Sequence, residues 1–151
     1  MIAKNKFTLT KEERKTLIYN GIQFRSPLEI RTYKRLVFYN INFTYEDISY
    51  SVFPKFIYSG GQWQKDAQGV FKELRTKIIQ PITHKPDFHI YNKDKVLIAI
   101  IETKGIKYAD FVLRKKMLLK WLEDNGTPVP YYMPSDDPQV EECIKMIKNY
   151  E

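Results

Sequence analysis

Cysteine is almost missing from this chain: of 151 residues only Cys143 carries a thiol. That excludes an intramolecular disulfide and a multi-cysteine zinc site, and it fits a reducing compartment. Cys143 itself is expected as inert core in a terminal helix. Histidine is nearly as scarce, at two residues. His84 and His89 lack the spacing of zinc ligands, so each reads as an ordinary hydrogen-bonded residue, with His89 on the strand parity that faces a cleft. Glycine is limited to six positions. Gly60-Gly61 is not followed by Lys-Ser or Lys-Thr, and no Gly-x-Ser-x-Gly elbow occurs, which removes the nucleotide-cradling loop, any nucleotide cofactor and the serine-hydrolase pattern. Long apolar runs are missing as well. Nothing approaches the length of a bilayer span, and Met1 to Phe7 lacks the apolar stretch of a signal peptide. A soluble, cytoplasmic protein without a membrane partner is expected.

What the chain has in excess is positive charge and aromatic surface. Twenty-five Lys and Arg against 18 Asp and Glu leave a formal charge of +7. Such a balance favours a polyanionic partner, because each phosphate contact releases counterions. Aromatic residues make up 15% of the chain, which suits DNA as that partner. The length matches one domain, 1–151, with a core of its own, and no repeat or linker divides it.

Local patterns place the elements. Thr10-Lys11-Glu12-Glu13 has the form of a capping box and starts a short helix reaching about Asn20, stopped by Gly21. Ser26-Pro27-Leu28-Glu29 starts a stronger helix to about Tyr39, with Pro27 at its first position. Ile48 to Tyr58 reads as a strand. Ser59 to Gly69 reads as a mobile loop carrying the exposed Trp63, and Val70 to Gln80 as another strand, although Phe71-Lys72-Glu73-Leu74 would also open a helix. Asp87–Tyr91 and Val96–Lys104 form a hairpin around Asn92 to Lys95. Its second strand is apolar on both faces and belongs in the centre of a sheet. Phe111 to Glu123 is a helix capped by Asp110 and stopped by Asn125-Gly126, Val129 to Met133 a short strand, and Pro138 to Tyr150 a last helix. The order gives an α/β (α+β) architecture, a mixed sheet with helices on both faces.

The chemistry-bearing residues lie at the hairpin's open end. Pro86-Asp87 on one strand and Glu102-Thr103-Lys104 on the next set two carboxylates and an ammonium near one another. With a four-residue turn, Tyr91 pairs with Val96 and Asp87 falls opposite Ile100, on the face of Glu102. The diagonal gap is then about 7–8 Å at the backbone, which two carboxylates close around one cation. A loop longer or shorter by one residue would separate them. A bland reading makes Asp87 a turn residue and Glu102 and Lys104 a solvated strand end. Against it, Glu102 follows six apolar residues in a central strand, where unpaired charge is expensive. Carboxylates are hard ligands suited to Mg²⁺.

Glu29 falls on the apolar face of its helix, between Leu36 and Tyr33. A capping box explains it if its carboxylate reaches the Ser26 amide, and a third acid aimed at the sheet explains it equally; both hold at once. Arg114 sits among Phe111, Met117, Leu118 and Trp121, where a guanidinium either clamps a phosphate or snorkels. Lys115, Lys116 and Lys120 lie on other faces as a solvated or DNA-tracking surface. Trp63 either wedges at a DNA branch or belongs to a mobile loop.

An acid on an early helix, Pro-Asp, Glu-x-Lys at the end of an apolar strand and then a basic helix resembles the PD-(D/E)XK nuclease superfamily over Ser26 to about Met133. Ser-Pro-Leu-Glu, Lys-Pro-Asp-Phe, Ile-Glu-Thr-Lys-Gly and Leu-Arg-Lys-Lys-Met are similar to motifs of small phage-encoded endonucleases, some related to Holliday junction resolvases. The resemblance implies a restriction-endonuclease-like core, with Mg²⁺, or Mn²⁺ in its place, held by Asp87, Glu102 and the Thr103 carbonyl. It implies Glu29 acting through water and Lys104 orienting or activating the attacking water. Catalytic roles are thus expected for Glu29, Asp87, Glu102 and Lys104, and DNA contacts for Arg114, Lys115, Lys116, Lys120 and Trp63. The expected activity is metal-dependent hydrolysis of DNA phosphodiesters, selective for branched DNA or Holliday junctions in phage recombination and located in the host cytoplasm. A junction resolvase further needs a homodimer. A non-catalytic DNA-binding module that keeps the nuclease fold is the alternative.

Overall fold

The computed structural model describes residues 6–75, 77–104 and 108–150. Gly105, which completes the Lys104-Gly105 ending of the motif, lies outside them. Helix α1 (Lys11–Thr16) opens with the expected capping box, Thr10 and Glu13 each bonding the other's amide. It stops at Leu17, not near Asn20, because Leu17 takes a left-handed conformation. The cause lies just downstream. Asn20 and Gly21 both have positive φ, the backbone of a two-residue hairpin turn, and they join β1 (Ile18–Tyr19) to β2 (Ile22–Gln23).

Helix α2 (Pro27–Phe38) starts at Ser26, whose hydroxyl accepts the Glu29 amide. Strand β3 (Asn42–Tyr45) follows, a short aromatic strand that the sequence pattern does not single out. Next come β4 (Tyr50–Phe53), β5 (Phe56–Ile57), β6 (Trp63–Lys65), β7 (Phe71–Glu73), β8 (Ile78–Ile79) and β9 (Ile82–His84). They pair in nested order, β4 with β9, β5 with β8 and β6 with β7. The expected loop from Ser59 to Gly69 is therefore corrected: it contains β6, and the turn lies at Asp66 to Gly69, where Asp66 exchanges backbone bonds with Val70 and Gly69. The strand expected over Val70 to Gln80 is two short ones, not a helix. Backbone bonds from Tyr58 to Lys77 and from Leu74 to Gln62 link the ladders, so residues 50–84 form one long, irregular hairpin.

The central sheet runs β12-β11-β10-β3, with β10 (Phe88–Tyr91), β11 (Leu97–Ile101) and β12 (Tyr131–Tyr132). Neighbours are antiparallel except β11 and β12, which are parallel. Helix α3 (Ala109–Asp124) begins at Tyr108, which places Asp110 inside the first turn, where it is not the cap. Helix α4 (Asp137–Lys148) starts from Asp136, which caps Gln139, and ends before Tyr150. On one face of the sheet Phe88, Ile90, Ala99 and Ile101 pack with Leu28 and Leu36 of α2 and with Val140, Ile144 and Ile147 of α4. On the other, Ile100 meets Leu118 and Leu122 of α3 and Tyr50 of β4. The apolar run of β11 is thus covered on both sides, as a central strand requires.

The hairpin register differs from the expected one in two compensating ways. Tyr91 pairs with Leu97, not Val96, because the turn has a fifth residue: Lys95 sits at φ +61° and the Asn92 carboxamide accepts the amides of Asp94 and Val96. Between Ile90, which pairs with Ala99, and Tyr91 the register shifts again at a bulge. Two one-residue shifts restore the original parity. Phe88 ends opposite Ile101, so the same register continued one step sets Asp87 directly opposite Glu102, not diagonal to it.

Candidate active site

The strand ends and the start of α2 open on one cleft of about 890 Å³. Glu29, Asp87, Glu102, Thr103 and Lys104 all line it, together with the basic side chains of Arg14, Arg25, Arg31 and Lys85. The three acids are only 5%, 7% and 3% exposed, in the order Glu29, Asp87, Glu102. Carboxylates buried to that degree require partners, and each has different ones.

Asp87 stands at a bend just before β10. Its Oδ2 accepts both the amide and the hydroxyl of Thr103, each at 2.8 Å. Those bonds favour the ionised form. They are outweighed by burial and then by the negative charges of Glu29 and Glu102, which push its carboxyl up to about 7. The region around Asp87 is short of positive charge.

Glu29 lines the cleft, but it does not close the expected capping box. Its carboxylate bonds the hydroxyl of Ser26 and the amide of Arg25, not the amide of Ser26. Its Oε2 also accepts the Tyr45 hydroxyl at 2.6 Å. Burial, and then that bond to Glu29, raise the Tyr45 phenol well above its usual range, so it stays protonated and donates.

Glu102 is held from the far side. Its Oε2 lies 2.9 Å from His84 Nε2 of β9 and also accepts the Tyr131 hydroxyl of β12. Burial and the Glu102 charge keep the Tyr131 phenol protonated. The other oxygen, Oε1, faces Lys104 Nζ at 3.9 Å. Lys104 in turn lies over the Phe111 ring, 4.5 Å from its centroid, with its side chain one-third exposed. This ammonium stands between a fixed carboxylate and solvent.

Glu46 is an acid that the sequence pattern does not reveal. It follows β3 directly, takes a positive φ of 45°, and donates its amide to the Asp87 carbonyl at 2.8 Å. Carboxylate oxygens of Glu29, Glu46 and Asp87 lie within 4.8 Å of one another. Arg25 reaches Glu46 at 2.9 Å from the solvent side. The signal available in the sequence was a run of polar residues after an edge strand, which any loop shares.

The donor set fits a hard divalent cation. All candidate ligands are oxygens and three carboxylates lie close together, while burial first and the charges of Glu29 and Glu102 second raise the Asp87 carboxyl. Asp87 belongs to this group, whereas Glu102, the other expected ligand, lines the same cleft without being one of the three.

The residues expected to contact DNA are not at the cleft. Arg114 is half-exposed and faces Asp110 one turn back at 3.6 Å. Lys116 is exposed, and Lys120 pairs with Asp124. Lys115, placed on an outer face by the helical wheel, lies in register with the buried Phe111, Leu118 and Leu122, with its ammonium 5.8 Å from the Tyr131 ring. His89 also misses the cleft: it is fully buried, bonded to the Tyr50 hydroxyl at 2.9 Å, and burial lowers its basicity. Trp63 is exposed at the far end of the long hairpin.

The chain belongs to the DUF1064 family, described as protein of unknown function, whose model matches residues 9–129. That span holds Glu29, Glu46, Asp87, Glu102 and Lys104, and it ends before β12 and α4. No curated protein and no solved structure matches the chain.

Proposed function

We propose that this protein is a metal-dependent endodeoxyribonuclease of the PD-(D/E)XK type, hydrolysing phosphodiester bonds of DNA. The observation that carries the reading is one cleft uniting Glu29, Asp87, Glu102 and Lys104 inside a rim of Arg14, Arg25 and Lys85. Acids alone would repel a phosphate, and cations alone would only bind it. The combination suits binding followed by cleavage.

Asp87, Glu102 and the Thr103 carbonyl, with Glu29 acting through water, would hold Mg²⁺, which would supply Lewis-acid polarisation and lower the pKa of water. The remaining work falls to side chains. His84 and Tyr131 fix Glu102 by one oxygen and leave the other toward Lys104. Lys104 then orients the attacking water and neutralises charge that develops on the phosphoryl oxygens. Thr103 steadies Asp87, and Tyr45 and the Arg25 amide steady Glu29. Arg14 and Lys85 are exposed and neither ion-pairs with an acid among the described residues, which leaves them available to phosphates on either side of the cut. Processing of branched DNA or Holliday junctions in phage recombination, as a homodimer in the host cytoplasm, is the biological setting that goes with this reading.

The test is incubation of the purified protein with linear duplex, single-stranded, flap and four-way DNA in Mg²⁺ or Mn²⁺, with EDTA controls and mapping of the cuts. Cation-dependent internal cleavage of at least one substrate is expected. Salt-sensitive binding without a cut to any of them would leave a DNA-binding module in place of a nuclease.

A further inference from the structure

Among the described residues of the hairpin 50–84, the buried apolar clusters draw only on its base, at Tyr50 and Val52. Beyond that, Phe56, Ile57, Trp63, Val70, Phe71 and Ile78 are each between 42% and 73% exposed. A two-stranded ribbon is marginal in water, and a row of exposed apolar side chains marks a surface used for contact. Sixteen residues from Tyr50 to Lys65 reach roughly 50 Å when extended.

The tip of this arm is built, not ragged. Lys65 pairs with Phe71, so Trp63 is the diagonal neighbour of Phe71 on the same face, and the two rings lie 6.0 Å apart at 37°. Gly61 makes room for the indole: a Cβ there would meet Trp63 Nε1 at 3.2 Å and the Glu73 carboxylate at 3.0 Å. Gly60 does the same for Tyr58, whose phenol would lie 2.7 Å from an added Cβ. Both glycines are thus accounted for by the aromatic rings folded over them. Asp66 fixes the turn by accepting the amides of Gln68 and Val70, and it pairs with Lys72. Over residues 54–79 the arm carries five basic and two acidic side chains. Among the described residues, Lys55, Lys65, Arg75 and Lys77 of the arm are exposed and enter no ion pair.

We infer that the arm is a base-stacking element: Trp63 and Phe71 take unpaired bases of a DNA strand while Lys65, Arg75 and Lys77 follow its backbone. The substrate class of the cleft is then DNA with an exposed single-stranded segment, and this step rests on the reading of the cleft as a DNA-cutting site. Aromatic faces flanked by unpaired cations are the recognition chemistry of single strands, because every base offers a π-face and every linkage a charge. A regular duplex presents no base face to an aromatic pair. A second copy of this chain would bring the same positive charge toward the arm, which favours nucleic acid as the occupant.

The test uses DNA in EDTA, so that binding is read without cleavage. Twenty-nucleotide oligo(dT) should quench the emission of Trp63, the exposed one of the two tryptophans, and Trp63→Leu should abolish the quench. The double variant Trp63→Ala/Phe71→Ala should lose about 10-fold to 100-fold in affinity for oligo(dT) and for forked DNA, with duplex affinity unchanged, and Trp63→Phe should retain most of it. An equal loss for duplex and single strand, or no quench, overturns the assignment. So does a dimer in sedimentation that the double variant dissociates, since the aromatic pair would then be a subunit contact. Cleavage in Mg²⁺ is scored separately. A protein that cuts DNA without quenching loses the arm assignment alone, whereas one that quenches without cutting keeps it and loses the nuclease reading.

Discussion

Asp87 sits in an environment that disfavours its charge. Its carboxyl titrates at about 7, driven first by burial and then by the charges of Glu29 and Glu102, against roughly 4 for a free aspartate. The sign of the effect follows. Below about pH 4 both folded and unfolded chains hold the proton and nothing is lost; as pH rises toward 7 the folded chain binds more protons than the unfolded one, and stability falls. Asp87→Asn keeps an acceptor for Thr103 and removes the charge. It should raise the melting temperature at pH 8, with the gain shrinking as pH falls toward 4, a difference on the order of 4 kcal/mol at most. Thermal melts of both proteins across that range check it; a variant equally stable or weaker at pH 8 would show that Asp87 already has a partner for its charge. A divalent cation should act in the same direction on the natural protein. Mg²⁺ at millimolar concentration should raise its melting temperature at pH 8 and leave that of Asp87→Asn nearly unchanged, because ligand binding to the native state adds to stability.

Elements decide how these residues meet, and they also decide how much of the site could be read from sequence. Ser26-Pro27-Leu28-Glu29 announced both the start of α2 and its acid, since the capping residue and the fixed φ of Pro27 are local signals. Ser26→Ala removes the hydroxyl that accepts the Glu29 amide and bonds its carboxylate. A loss of about 1 kcal/mol is expected in urea denaturation, and no loss would mean that Tyr45 and Arg25 alone orient Glu29. The apolar run of β11 was equally legible, because a strand covered on both faces leaves no polar positions. Register was not. It depends on the left-handed Lys95 and on a bulge at Ile90/Tyr91, and neither residue type announces such a conformation. His84 and Tyr131, which hold Glu102, come from strands with no local link to it, so only the tertiary structure joins them. The middle of the arm, Ser59 to Gly69, reads as a loop in the sequence for a similar reason: the ladders of the arm are two or three residues long, and alternation that short is indistinguishable from irregular chain. Since the described residues of 54–79 contribute nothing to the apolar clusters, replacing residues 56–79 with an Asn-Gly turn should leave cooperative unfolding within about 1 kcal/mol of the parent. A collapse of the urea transition would reveal that the arm supports the core.

The whole molecule is a basic protein with an acidic centre. A net charge of +7 draws a polyanion from a distance, while the buried acids lie at the bottom of the cleft between Arg14, Arg25 and Lys85. Among the described residues no helix is long and apolar enough to cross a membrane. DNA affinity should therefore fall steeply with salt. If Arg14, Arg25, Lys85 and Lys104 each neutralise one phosphate, the logarithmic slope for duplex is about −4, and Lys85→Glu should make it shallower by about 1. Anisotropy titrations between about 50 and 200 mM salt measure it; a slope near zero would remove the polyanion from the account. The central claim is that the acids and Lys104 form one catalytic unit. It is tested most directly by cleavage of one DNA substrate in Mg²⁺ by the natural protein, Asp87→Ala and Glu102→Ala, with binding of the same DNA measured in parallel. The account predicts that both variants lose cleavage while binding DNA as well as the parent or more tightly, since each removes a charge that repels phosphate. Full cleavage by either purified variant would contradict it.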